Sequence, residues 1–194
     1  MPAPIPTPTI PTGALFSASS SATIHAPASK IYNTLLESTT WPSWSSFVPH
    51  VSISSQPPGT DPSSTRLVVG TAMNFTVHMS PKMKTKSPEE VNIVSAAPRD
   101  EDPPGTKYTI CWVGRMMPGV VLRAERVNEI VKTEDPGRCE YKTWETFAGV
   151  AAYAVKWSTE GLLVERFEDW TRDLKAYCEK GEGEGEGPVV VEGK

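Results

Sequence analysis

The stretch STEGLLVERFEDWTRDLKAYCEK, residues 158–180, places Leu163, Phe167, Trp170, Leu174 and Tyr177 at steps of four, three, four and three. That spacing is one face of an α-helix, with Ser158 or Thr159 as its cap and Glu168–Arg172 as an i, i+4 pair on the wet side. An amphipathic helix of this length needs an apolar surface to lie on. The residues before it offer one: strand-like runs at 51–55, 66–80, 89–96, 107–114, 121–132 and 139–149, separated by Pro, Gly, Asp and Ser. Six short runs followed by a long helix predict an α+β domain in which one antiparallel sheet turns a concave face to the helix.

The last two runs predict their own register. VLRAERVNEIVK and CEYKTWETFAG are joined by TEDPGR, a turn-forming segment, so they pair as a hairpin. If Lys132 opposes Cys139, then Ile130 opposes Tyr141, Asn128 opposes Thr143, Arg126 opposes Glu145 and Ala124 opposes Phe147. On the other face Glu129 meets Lys142 and Val127 meets Trp144. This register sets opposite charges together on both faces, whereas a one-residue slip would oppose Glu145 with Glu125.

Alternation along β-structure then turns Tyr141, Thr143, Glu145 and Phe147 to one side and Glu140, Lys142, Trp144 and Thr146 to the other. Lys142 and Glu140 belong in water, so Glu145 faces inward with Tyr141 and Phe147. The expected inner surface is a polar patch of Arg126, Asn128, Thr143 and Glu145 walled by Tyr108, Trp112, Tyr141 and Phe147. In the 66–80 run, Met73, Phe75, Val77 and Met79 alternate with Asn74, Thr76 and His78, which adds Met73 and Phe75 to the walls and leaves His78 outside. Trp170 closes them from the helix.

Toward the N-terminus, FSASSSATIHA (16–26) suits a first strand and APASKIYNTLLES a helix with Ile31, Leu35 and Leu36 as its stripe. Trp41, Trp44 and Phe47, three apart in WPSWSSFVPH, predict a second short helix pinned by two indoles and stopped by Pro49. The Pro/Thr-rich residues 1–15 read as a flexible arm without a signal peptide's pattern, and 181–194, with GEGEGEG, as a disordered tail. One folded domain at 16–180 remains.

Composition excludes several classes. A formal charge of −4 and the lack of a Lys/Arg cluster argue against nucleic acid; KMKTK at 82–86 is the only basic knot and reads as a solvated loop between Pro81 and Pro88. No apolar run approaches the roughly 20 residues that span a bilayer, so stable membrane insertion is not expected and a cytoplasmic address is favoured. Cys111, Cys139 and Cys178 are widely spaced without a CxxC, which reads as three reduced thiols and no metal site. His25 and His50 have no Ser or Cys partner in view, and no GxGxxG, P-loop or HExxH occurs, so no cofactor is expected.

With these elements in hand, the chain resembles the SRPBCC superfamily of START-like proteins, which includes polyketide cyclase/dehydrase-like and coenzyme Q-binding members. The resemblance rests on IHAPASKIYNTLLESTTWPSW, FVPHVSI, ERVNEI and ETFAG, and spans most of 16–180. It implies a helix-grip fold: a curved antiparallel sheet wrapped around the C-terminal helix, with two short helices after the first strand and a hydrophobic cavity between sheet and helix.

Three functions fit. The first is a carrier or binding protein for a small hydrophobic or aromatic molecule (polyketide-, quinone- or lipid-like), with Met73, Phe75, Trp112, Phe147 and Trp170 as walls and Arg126, Asn128 and Glu145 as anchors. The second is a polyketide cyclase/dehydratase-like enzyme in which Glu145 is the general base and Arg126 stabilises an enolate. It competes with a structural Arg126–Glu145 pair, in which the guanidinium would depress the Glu145 pKa and weaken the base. The third is an interaction module with a filled core.

Overall fold

The computed structural model describes residues 3–180. Seven strands form one antiparallel sheet: β1 (Phe16–Ile24), β2 (His50–Ser55), β3 (Ala72–Ser80), β4 (Met83–Val94), β5 (Lys107–Gly114), β6 (Arg123–Lys132) and β7 (Cys139–Ala148), in the order β1-β7-β6-β5-β4-β3-β2. Two helices, α1 (Ala28–Leu36) and α2 (Ala152–Glu179), complete the frame, with a 3-10 helix at Ser38–Ser43 after α1. The long helix lies on the inner face of the sheet and buries Leu163, Phe167, Trp170, Thr171, Leu174 and Cys178. This is the helix-grip arrangement. The β6–β7 register is the one that charge pairing predicts, from Lys132 opposite Cys139 to Ala124 opposite Phe147.

The core centres on indoles packed tilted or edge to face. Trp41 packs within 5.0 Å of Trp170, 5.4 Å of Phe75 and 5.8 Å of Trp112, ring centre to ring centre, and Trp44 lies 4.7 Å from Trp170. These contacts join the first short helices, the sheet and α2 into one aromatic cluster, which is how residues far apart in sequence come to share a core.

Several local expectations differ from the structure. The long helix begins at Ala152, so Ser158 and Thr159 lie inside it, and their hydroxyls bond back to Ala154 O and Val155 O, each at 2.7 Å. Arg172 pairs with Asp169 and Asp173 in place of Glu168. The second helix is a 3-10 turn that already ends at Ser43; Pro42 lies within it, where i→i+3 bonding is tighter than an α-turn. KMKTK is not a loop: Met83 opens β4, and Lys84 and Lys86 oppose His78 and Thr76 of β3.

The Pro/Thr-rich arm is also packed. Residues 3–15 run along the outer face of the sheet, where Ile5 N–H donates to Ser17 Oγ (2.9 Å), Thr146 donates to Ile5 O (2.6 Å) and Trp144 Nε1–H donates to Pro6 O (3.1 Å). Thr9 donates its N–H and hydroxyl to the buried Glu125 carboxylate, both at 2.7 Å, and Ile10 is fully buried. Proline restricts the unfolded chain, so tying this segment down costs less entropy than for an ordinary coil. The predicted tail, 181–194, lies outside the described residues.

The turn into α2 depends on Gly149. Its φ is +96°, and a Cβ built there would sit 2.5 Å from Val121 O. Gly149→Ala is expected to cost about 1–3 kcal/mol, read as a lower denaturation midpoint; an unchanged midpoint would show that the 115–122 loop moves aside freely.

Candidate ligand cavity

Two rows of inward side chains cross the sheet. Val91, Trp112, Arg126, Glu145 and Ala18 oppose one another in turn on β4, β5, β6, β7 and β1. One step along, Glu89 faces Gly114, and Ala124 faces Phe147, which stacks on Phe16 at 4.6 Å. Glycine and alanine are small, so the second row leaves space that the helix does not fill. A cavity of about 320 Å³ occupies it. Its walls are apolar: Phe47, Phe75, Trp112, Leu122, Phe147 and Leu163 are among them. Arg126, Glu145 and Glu89 supply the charged groups.

Arg126 is held by aromatic faces. Its guanidinium carbon lies 4.2 Å from the Trp170 ring centre and 4.3 Å from that of Phe167, with Trp112 and Phe47 at 5.6 and 5.7 Å. Its Nε–H donates to Thr143 Oγ1 (3.2 Å), while the buried Nη2 has no hydrogen-bond partner. Behind it runs a closed network: Trp170 Nε1–H donates to Tyr141 Oη (2.9 Å), Tyr141 O–H to Asn128 Oδ1 (2.7 Å), and Asn128 Nδ2–H to Ile110 O (3.3 Å). The network satisfies the polar atoms at the packed end of the grip and fixes the guanidinium's approach to the cavity.

Arg126 and Glu145 oppose each other without an ion pair, since no N···O approach is within 4.0 Å. This corrects the expected direct pair and its consequence. Burial pushes the Glu145 carboxyl up to about 7, and the opposing pull of Arg126 does not cancel it. Glu89 is raised to about 8, first by burial and then by the charge of Glu145, with the Ser87 hydroxyl bond (2.6 Å), Arg126 and Arg115 pulling the other way. Arg126 itself is lowered by its own burial. Two repelling carboxyls in one cavity titrate as a pair, and near neutrality that pair retains a proton.

Of the residues predicted for the site, Phe75, Trp112, Arg126, Glu145 and Phe147 line the cavity. Met73, Tyr108, Asn128, Tyr141, Thr143 and Trp170 do not; they are buried behind it, and the Tyr108 hydroxyl turns away to donate to Asp102 (3.0 Å). Glu89 was not predicted, although alternation back from the buried Val91 points it inward. It stands at the first position of the predicted 89–96 run, directly after Pro88, where alternation has no preceding residues to set its face. The mouth, with Met116 and Met117 on the β5–β6 loop and Ala151, Ala154 and Val155 on the first turns of α2, carried no periodic signal.

Among the described residues no group of three or more His, Cys, Asp or Glu side chains is placed to hold a metal ion, and no helix is long and apolar enough to cross a membrane.

No family model matches the chain. In an alignment of 152 positions that covers 71% of this chain and 74% of the other, it is 33% identical to oxopyrrolidines biosynthesis cluster protein O of Penicillium oxalicum. Among solved structures it is similar to the Zhui aromatase/cyclase of a Streptomyces species (TM-score 0.61, 11% identity, 84% of this chain and 93% of that one). It is also similar to a START superfamily protein of Mycobacterium smegmatis (TM-score 0.59, 14% identity, 84% and 97%). The two structures establish a START-like fold and the curated relative the kinship: the chain belongs to the family of oxopyrrolidines biosynthesis cluster protein O.

Proposed function

We propose that the protein binds a small, largely apolar metabolite of a biosynthetic route in the cavity between the sheet and α2. The observation that carries this reading is an apolar cavity with its charged groups, Arg126, Glu145 and Glu89, facing the same space. A ligand there buries its apolar body against Phe75, Trp112 and Phe147 and presents a polar end to the charged groups. The relative's name sets that protein in oxopyrrolidine biosynthesis, which supports a metabolite as cargo. The buried thiols Cys111, Cys139 and Cys178 suit a reducing, cytosolic setting. Native mass spectrometry of protein from its own source is expected to show a retained small molecule; a clean apo mass at all stages of purification counts against a tight carrier.

A second reading, a cyclase/dehydratase-like enzyme, is favoured by one observation: Glu145 is pushed to about 7, where a carboxylate is a competent base at neutral pH. In this reading Glu145 removes an acidic proton beside a carbonyl and the Arg126 guanidinium stabilises the enolate oxygen. Glu145→Gln, which keeps the shape and one acceptor oxygen, is expected to leave metabolite retention within about threefold while turnover falls about 10²–10⁴-fold. Retention lost together with the absence of turnover in the parent protein sinks the enzyme reading.

A further inference from the structure

The unexpected member of the site is Glu89. Glu89 is 7% exposed, and its only side-chain hydrogen bond among the described residues comes from Ser87. Among the described residues no cation pairs with it: Arg115, the nearest in sequence across the strand pair, is engaged by Glu90 at 3.0 Å. The carboxyl reaches inward over Gly114, where a Cβ would lie 3.7 Å from Glu89 Oε2 and 3.3 Å from the Ala124 Cβ. A buried acid without a counter-ion is most stable protonated, and a protonated carboxyl is a hydrogen-bond donor. Glu145, which lines the same cavity, has no side-chain hydrogen bond among the described residues, and as a carboxylate it is an acceptor. The Arg126 guanidinium, which lines the same cavity and spends only its Nε–H on Thr143, is a second donor.

The cavity therefore offers one acceptor and two donors among largely apolar walls. A ligand carboxylate would add a negative charge beside two carboxyls, and a ligand ammonium would sit against the Arg126 guanidinium. Both are disfavoured by like charge in a poorly solvated space. The complementary group is neutral and carries a donor and an acceptor side by side on one rigid edge. The cis-amide of a lactam is such a group, since its ring fixes N–H and C=O in parallel.

Resting on the binding role proposed above, we propose that Glu89, Glu145 and Arg126 together grip the cis-amide edge of a lactam bearing an apolar substituent. The lactam N–H donates to Glu145. The lactam C=O accepts from the Glu89 carboxyl and from the Arg126 guanidinium. The substituent lies toward Phe75 and Phe147, and the small Gly114–Ala124 pair gives Glu89 its reach.

The test titrates the full chain with 5-hexylpyrrolidin-2-one and with its N-methyl derivative, followed by amide and indole proton–nitrogen NMR shifts. The N–H lactam is expected to bind at least tenfold more tightly than the N-methyl compound, with shifts at Trp112 and at residues flanking Glu89 and Glu145. Glu89→Leu should weaken the N–H lactam at least tenfold, and Glu89→Gln, which restores a donor, should recover most of that loss. Equal binding of the two compounds overturns the lactam assignment and leaves the apolar binding role standing. Shifts with neither compound overturn both. A Glu89→Gln variant that binds as poorly as Glu89→Leu, while keeping the parent's spectrum elsewhere, overturns the donor role of Glu89.

Discussion

Trp170→Ala is expected to destabilise the protein by about 3–5 kcal/mol and to abolish the near-ultraviolet circular dichroism of the aromatic core. Trp170 is fully buried, meets Trp41 and Trp44 edge to face, donates its Nε1–H to Tyr141 and supplies one face of the cage around Arg126. Truncation therefore opens a cavity, leaves Tyr141 one partner short and removes a flat surface from a buried cation. Phe in its place restores most of the volume but not the hydrogen bond, so Trp170→Phe should recover about half of the loss. Urea denaturation of the three proteins measures this. A loss below about 1 kcal/mol for Trp170→Ala would show that the helix is not gripped by this cluster.

The second large effect is on pH. Glu89 and Glu145 hold protons more tightly in the folded protein than in the unfolded chain, because burial raises both. Folding then takes up protons between the ordinary carboxyl range and about pH 8. The stability this contributes is complete below about pH 4.5 and is lost as pH rises through 7 to 8. The groups facing the pair are Arg126, which lowers both carboxyls, with Arg115 and the Ser87 hydroxyl at Glu89. Between pH 6 and pH 8.5 the protein should lose on the order of 2–4 kcal/mol, a melting temperature lower by about 5–10 °C. Glu89→Gln, neutral at every pH, should remove more than half of that dependence. Stopping at pH 8.5 keeps out most of the contribution of the buried thiols, which burial pushes to about 11 or 12. A variant that loses as much stability as the parent over this range would place the titration elsewhere.

The parts of this protein that local pattern determines are those with a strong period or a paired charge. The face of α2 follows from Leu163, Phe167, Trp170 and Leu174, because a 3.6-residue repeat admits one buried side. The β6–β7 register follows from Arg126 opposite Glu145 and Glu129 opposite Lys142, because a slip of one residue reverses every face. Those two facts already turned Glu145 and Arg126 toward the helix. Tertiary structure alone decided what they do there. Whether an inward carboxylate is an ion pair or a raised acid depends on separation and on burial by distant elements, and Phe167 and Trp170 claim the guanidinium before Glu145 can reach it. Glu89 joins the site from two strands away across Gly114 and Ala124, a proximity with no trace in local sequence. The same holds for the N-terminal segment, whose prolines read as a free arm until the outer face of the sheet supplies Glu125, Ser17 and Thr146 as partners. Periodicity records which side of an element is dry; only the assembled chain sets which dry sides meet and what space remains between them.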